Sequence, residues 1–206
     1  MLERIVTIIT ALAAVPSPDL TPWGLSVLML SMTIISIGGW VWETVYCSLV
    51  ERRPVPRGFL FGPACPIYGT GAVAVYVLLG HLESPLAVFV AGSILATAIE
   101  YATGRVLEER FGKRWWDYTG WPLNYRGLIC PIASAVFGVF SVLVVFVIEP
   151  PLMAFFSSWG ELACEAAATA CAVTFAADTF LSVMAQDADD KGRRIALRRK
   201  SGLLLR

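Results

Sequence analysis

Glu43, Glu100 and Asp178 are carboxylates set inside stretches that are otherwise apolar and long enough to cross a bilayer. An ionisable group at hydrocarbon depth costs about 2.5–3.5 kcal/mol on insertion scales, so it is kept where it meets a partner or a water-filled hollow. The chemistry open to such acids is proton binding, ion pairing with arginine, or contact with a polar solute.

Arginines fall near the same level. Arg57 and Arg126 immediately precede the second and fourth apolar stretches, and Arg105 ends the third. Glu43 lies about 12 Å from the end of its stretch at 1.5 Å per helical residue, Glu100 is shallower, and Asp178 is comparable to Glu43. Pro63, Pro66 and Pro131 fall in first turns, where a missing N–H costs little. Two helix starts with partial positive charge would point at the same region, which favours anions. The expectation is a cytoplasm-facing pocket in which all three acids converge with the three arginines. The competing reading is that acids and arginines only pair with each other and lock the bundle. Asp117 and Asn124 sit in an aromatic segment, Trp115 to Tyr125, that either forms a lid over this pocket or anchors the chain at the membrane interface. Cys164, Cys171, Thr174, Asp178 and Ser182 recur on one face of the last stretch, with alanines that permit close approach.

The elements that must position these groups are helices. Of the 206 residues, 57% are hydrophobic and 16% charged, too little charge to cover a soluble domain of this length. The apolar stretches run about Gly24–Val50, Gly62–Gly80, Pro85–Thr103, Gly127–Ile148 and Leu152–Ala185. In lipid the backbone must satisfy itself, so each is read as a helix. The fold class is all-α integral membrane with five transmembrane helices. Lys and Arg gather in the first and third connections and the tail, and are absent around His81–Ser84 and Glu149–Pro151. That pattern places the N-terminus outside and the C-terminus in the cytoplasm. The domains expected are an N-terminal interfacial segment (1–23), a five-helix membrane domain (24–186) and a basic tail (187–206) whose simplest partner is anionic lipid. Ile5–Val15 is too short to cross alone and is read as an interfacial helix, with a signal peptide as the alternative.

Several classes are disfavoured. The five cysteines show neither a CxxC pair nor secreted-type spacing, so they read as buried thiols; no metal and no cofactor is expected. No G-x-x-x-x-G-K-[ST] loop is present, so ATP hydrolysis would need a separate subunit. No nucleic acid partner is indicated. The single histidine, His81, falls at the opposite face from the acids and reads as a loop residue.

Two blocks echo each other: Glu43 with Glu51, then Arg57-Gly58 and Cys65-Pro66-Ile67; and Glu100 with Glu108, then Arg126-Gly127 and Cys130-Pro131-Ile132. Either this is chance, or helix pairs 1-2 and 3-4 are parallel repeats about an axis along the membrane normal, as in some transporters.

The same residues carry a family resemblance. Gly39-Trp40-Val41-Trp42-Glu43, Arg57-Gly58-Phe59-Leu60-Phe61-Gly62-Pro63, Cys65-Pro66-Ile67-Tyr68-Gly69, Glu100-Tyr101 and Trp115-Trp116-Asp117-Tyr118 with Asn124 resemble the ABC-transporter type IV family of bacterial membrane proteins, which is permease-like. The resemblance runs from Gly38 to Gly138. It implies a multi-pass protein of the bacterial cytoplasmic membrane. Tyr125, Arg126 and Pro131 depart from the family pattern, and Asp178 lies beyond its reach.

Three functions follow as expectations. The first is a permease or transporter subunit, working as a homodimer or with a separate ATPase, with Glu43, Arg57, Glu100, Arg105, Asp117, Asn124, Arg126 and Asp178 as substrate or proton contacts. The second is an intramembrane enzyme acting on a lipid or isoprenoid headgroup, with no catalytic residue assignable. The third is a non-transporting membrane partner.

Overall fold

Each early helix opens on proline, whose fixed φ suits the first helical turn and whose missing N–H would be unpaired there anyway. The computed structural model describes residues 20–55 and 57–203, with side chains up to residue 189. Helix α1 spans Pro22–Glu51, α2 Pro66–Leu79, α3 Pro85–Phe111 and α4 Pro131–Leu143. A π-helical segment, Val144–Ile148, joins α4 to α5, Glu149–Ser157, and α6 runs Glu161–Leu203. Thr21 and Ser84 cap α1 and α3 by accepting from Gly24 N (3.2 Å) and Ala87 N (3.3 Å). No strand occurs among the described residues; Tyr125 and Ile129 form an isolated bridge. The interfacial helix expected at Ile5–Val15 and the basic side chains of the tail lie outside the described residues.

Four helices are long and apolar enough to cross a membrane: Pro22–Glu51, Pro85–Phe111, Pro131–Ser157 and Glu161–Asp189. Helix α2, at 14 residues, is shorter than the apolar stretch read from the sequence because Gly62 to Cys65 are irregular. A second correction concerns Glu149–Pro151, expected as a connection. Prolines interrupt a helix by removing an N–H. Here the turn before them widens, Glu149 N donates to Val144 O, and the helix continues to Ser157. The true connection is at Ser158 to Gly160, so Leu152 belongs to the apolar helical stretch Pro131–Ser157 and not to the one that follows.

Helices α1 and α2 form one hairpin and α3 and α4 another, with α2 against α3 and α6 against α1. The buried core joins Leu28, Val75, Tyr76, Val88 and Val145, with a second cluster of Val27, Leu30, Phe156, Cys164 and Ala168. Lipid tails are as apolar as leucine, so close packing at small residues holds such helices together. The two hairpins use the same devices. Cys65 and Cys130 stand at the helix starts, each followed by proline. Ser36 and Ser93 donate to the carbonyls of Met32 (2.7 Å) and Phe89 (2.8 Å), and each presses its hydroxyl against a glycine of the partner helix, Gly69 or Gly138. Trp40 Nε1 donates to Arg57 O and Trp116 Nε1 to Leu128 O, both at 2.9 Å.

Gly69 is the tightest of these crossings, since a Cβ there would meet both the Ser36 hydroxyl and the Met32 backbone carbonyl. Gly69→Ala is expected to cost about 1–3 kcal/mol by overpacking. Gly71, with nothing near its would-be Cβ, is the control. Melting temperatures of the purified variants in detergent check this.

Candidate functional site

The C-terminal ends of α1 and α3 and the part of α6 around Asp187 and Asp189 lie at one end of the bundle. Arg57, after α1, donates to Trp115 O (3.0 Å), after α3, while Arg110 and Lys113 reach Asp187 (2.7 Å) and Asp189 (2.5 Å) near the polar end of α6. Glu43 sits close to this end. Its Oε1 accepts from Arg57 Nη2 (2.8 Å) and Nε (3.1 Å), and Cys65 Sγ lies 3.6 Å from its Oε2. The pair is about three-quarters shielded, with 25% and 23% of the two side chains exposed. Burial opposes the charge on Arg57, but the hydrogen bond and charge of Glu43 outweigh it and raise its pKa. The guanidinium is held from behind as well, because Trp40 Nε1 fixes the Arg57 carbonyl.

Glu100 is buried, with 5% exposure, and is met by Tyr118, whose hydroxyl donates to Oε1 at 2.9 Å. The Oε2 atom is buried without a hydrogen-bond partner. Burial and then the neighbouring Glu100 carboxylate raise the Tyr118 pKa, so the phenol stays a donor. Tyr68 lies within electrostatic reach of both Glu43 and Glu100, and its ring packs on α1 where Gly39 leaves no Cβ in the way. Tyr118 in turn is within electrostatic reach of Tyr68 and Cys130. Glu43 and Glu100 therefore belong to one cluster, one acid paired with a cation and the other half open.

The remaining sequence candidates are placed otherwise. Asp178 binds the loop before α2, accepting from Phe61 N (2.9 Å), Gly62 N (2.8 Å) and Ser182 Oγ (3.0 Å), which occupies both oxygens. Arg105 turns along its own helix to Glu108 (3.6 Å) and Glu109. Asp117 closes a turn on Thr119, accepting from its hydroxyl and its N–H; those bonds, aided by Arg114, lower its pKa. Asn124 ties the aromatic segment together, donating to Thr119 O (3.1 Å) and Trp121 O (2.9 Å) and accepting from Gly127 N (3.0 Å). Arg126 is exposed, its guanidinium 5.7 Å from the Tyr125 ring centroid. The aromatic segment thus delivers the Trp115 carbonyl to Arg57 and the Tyr118 hydroxyl to Glu100.

Sequence reasoning missed Tyr68 and Tyr118, whose only signal was proximity to the acids in family motifs. It also missed Glu149, which is 0% exposed and accepts from Ser31 Oγ at 2.6 Å while its Oε1 has no hydrogen-bond partner. A cavity of about 480 Å³ opens between α3 and α4, walled by Phe89, Ser93, Tyr125, Cys130 and Ala135 among others. The acids do not line it; Cys130 belongs to its wall and to the surroundings of Tyr118. No group of three or more potential metal ligands occurs among the described residues.

Apolar helices of this length around a shielded carboxylate–arginine cluster define an all-helical, multi-pass membrane protein. Residues 30–183 match the family described as "Putative ABC-transporter type IV", and the chain belongs to that family. It is thus a transporter-related membrane protein. No curated protein and no solved structure is significantly similar to it.

Proposed function

We propose that the chain is the membrane subunit of a transporter of the bacterial cytoplasmic membrane, and that Glu43, Arg57 and Glu100 form the site a proton or polar substrate visits from the cytoplasmic side. The observation that carries this reading is the half-open Glu100: a buried carboxylate oxygen without a partner, beside a complete ion pair. A buried polar atom left unpaired costs free energy, so a bundle selected for stability alone would fill or remove it. Protonation of Glu43 would release Arg57, whose guanidinium would then take an anion, and loss of the anion would restore the pair. That cycle couples a proton to an anionic solute. Tyr68 and Tyr118 offer hydroxyls between and beside the acids. Asp117 and Asn124 hold the aromatic lid, Asp178 holds the loop that carries Arg57, and Arg126 lines the approach, while Arg105 stays paired along its own helix. The energy source is a separate ATPase subunit or the proton itself, and a homodimer supplies the helices that one chain lacks.

Five crossings with an external N-terminus would put this end of the bundle in the cytoplasm. The ends of α1 and α3 and the part of α6 around Asp187 share one side, where Arg52, Arg53, Arg57, Arg110, Lys113 and Arg114 gather. Helix α2 then returns through the bilayer with Gly62 to Cys65 as its lead-in. The shared devices of the two hairpins favour duplication over chance.

Proteoliposomes with a trapped pH-sensitive dye test the reading under an imposed pH gradient. Wild-type chain should dissipate the gradient faster than empty vesicles. Glu43→Gln and Glu100→Gln should each cut that rate at least about tenfold, the expected scale for losing a proton-transfer group. Arg105→Gln should leave it unchanged. If the wild-type rate equals that of empty vesicles, or both acid variants merely lower protein yield, the acids are structural and the reading fails.

A further inference from the structure

The cavity between α3 and α4 is lined mostly by apolar surface. Its two serines are internally engaged, Ser93 Oγ donating to Phe89 O (2.8 Å) and Ser134 Oγ to Cys130 O (3.1 Å), so the wall they share with Ala135 is apolar in effect. The surface around it is apolar too: Val90, Ile94, Ile132 and Val136 are each about half or more exposed. At its rim stands Leu123, 85% exposed and held at φ +55. Left-handed backbone is unfavourable for a residue with a Cβ, and a leucine presented that way gains nothing from water.

The rim is also charged and rigid. Arg126 leans over Tyr125, itself a wall residue, with the guanidinium 5.7 Å from the ring centroid. Arg53, Arg57, Arg105, Arg110, Lys113 and Arg114 each have a carboxylate within ion-pair reach. Among the described residues Arg126 and Arg52 have none. The loop carrying Arg126 is fixed by Tyr118 N to Gly127 O (2.8 Å), Tyr125 N to Ile129 O (2.9 Å) and the Asn124 side chain, so its backbone needs no further ordering on binding.

We propose that this groove binds an anionic phospholipid, one acyl chain lying along Phe89 and Ala135 under Leu123 and the phosphate held by Arg126. Arginine matches phosphate geometry bidentately, and anionic headgroups are drawn to basic surfaces at about 1 kcal/mol per residue, near fivefold in affinity. The site does not depend on the transport reading, because lipid occupancy is measured without flux.

Native mass spectrometry of the purified full chain, titrated with phosphatidylglycerol or phosphatidylethanolamine, tests it. Wild type should retain phosphatidylglycerol at least about fivefold more tightly. Arg126→Gln should erase that preference, and Arg52→Gln should leave it intact. Ala135→Trp, which fills the groove while sparing the charge, should weaken both lipids. Equal losses in Arg52→Gln and Arg126→Gln would mean a diffuse surface charge and overturn the proposal. So would absence of any headgroup preference, or a lipid-free dimer that Ala135→Trp dissociates, which would give the groove to a second copy of the chain.

Discussion

Arg57→Gln is expected to lower the melting temperature of the detergent-purified protein by about 5–15 °C, more than substitution of any other arginine in the described loops. Breaking a fully buried ion pair costs about 3–5 kcal/mol, because the abandoned charge stays where water cannot reach it. A fully exposed pair contributes about 0–1 kcal/mol. With roughly a quarter of each side chain exposed, the Glu43–Arg57 pair falls between these limits. Loss of the Arg57 Nη2 bond to Trp115 O adds about 1 kcal/mol, since that carbonyl links the first loop to the aromatic segment. The sum is about 2–4 kcal/mol, and a chain of this size shifts about 2–4 °C per kcal/mol. Arg105→Gln is the comparison: its partners are on its own helix and one is largely exposed, so a shift under about 2 °C is expected. The double variant Glu43→Gln/Arg57→Gln should recover much of the loss, because neither partner is then stranded. If Arg57→Gln and Arg105→Gln melt alike, the pair has no structural weight and the cluster described here is not the organising feature of the bundle.

Why some of this was legible in the sequence, and some not, follows from what each residue type signals. Glu43 and Arg57 could be placed at one level because helical rise gives the depth of the acid and the arginine directly precedes the second apolar stretch, and they are paired. The carboxylate of Asp178 was as conspicuous, but its partners are the backbone N–H groups of Phe61 and Gly62, which no side-chain pattern announces. Trp115 acts through its carbonyl for the same reason. Tyr118 stands in a run of aromatics that interface anchoring already explains, so nothing in the sequence marks its hydroxyl as the donor to Glu100. Hydropathy overstates helix α2, because Gly62-Pro63-Ala64-Cys65 is apolar but Gly62 and Pro63 break the ladder before Pro66. The insensitivity was greatest at Glu149. An acid followed by two prolines and flanked by no cations reads as a turn, and only the widening of the preceding turn lets the helix run through it. Such π-turns leave no trace in hydropathy, yet they are frequent at functional positions.

Glu149 gives the second large effect, and removing the acid should act differently on stability from removing its donor Ser31. The carboxylate is sealed between α1, α2 and α5. Ser31 donates to Oε2, Tyr76 lies within electrostatic reach, and Oε1 has no hydrogen-bond partner. Ser31→Ala removes the donor and strands the acid, at an expected cost of about 1–3 kcal/mol. Glu149→Met exchanges the acid for an apolar side chain of similar length. Replacing a buried ionisable group by a hydrophobic one of like volume is often neutral or stabilising by about 1–4 kcal/mol. The melting temperature should therefore fall in Ser31→Ala and hold or rise in Glu149→Met. Destabilisation by both would mean the acid is a net structural contributor, with a hydrogen bond to Oε1 that the cluster geometry lacks. If Glu149→Met is the more stable protein, stability does not explain an acid at this depth, and proton flux in the liposome assay becomes its readout. A stable Glu149→Met chain with wild-type flux would leave the residue without either role, whereas a stable chain with reduced flux would extend the proton path from the Glu43–Glu100 cluster toward the opposite end of the bundle.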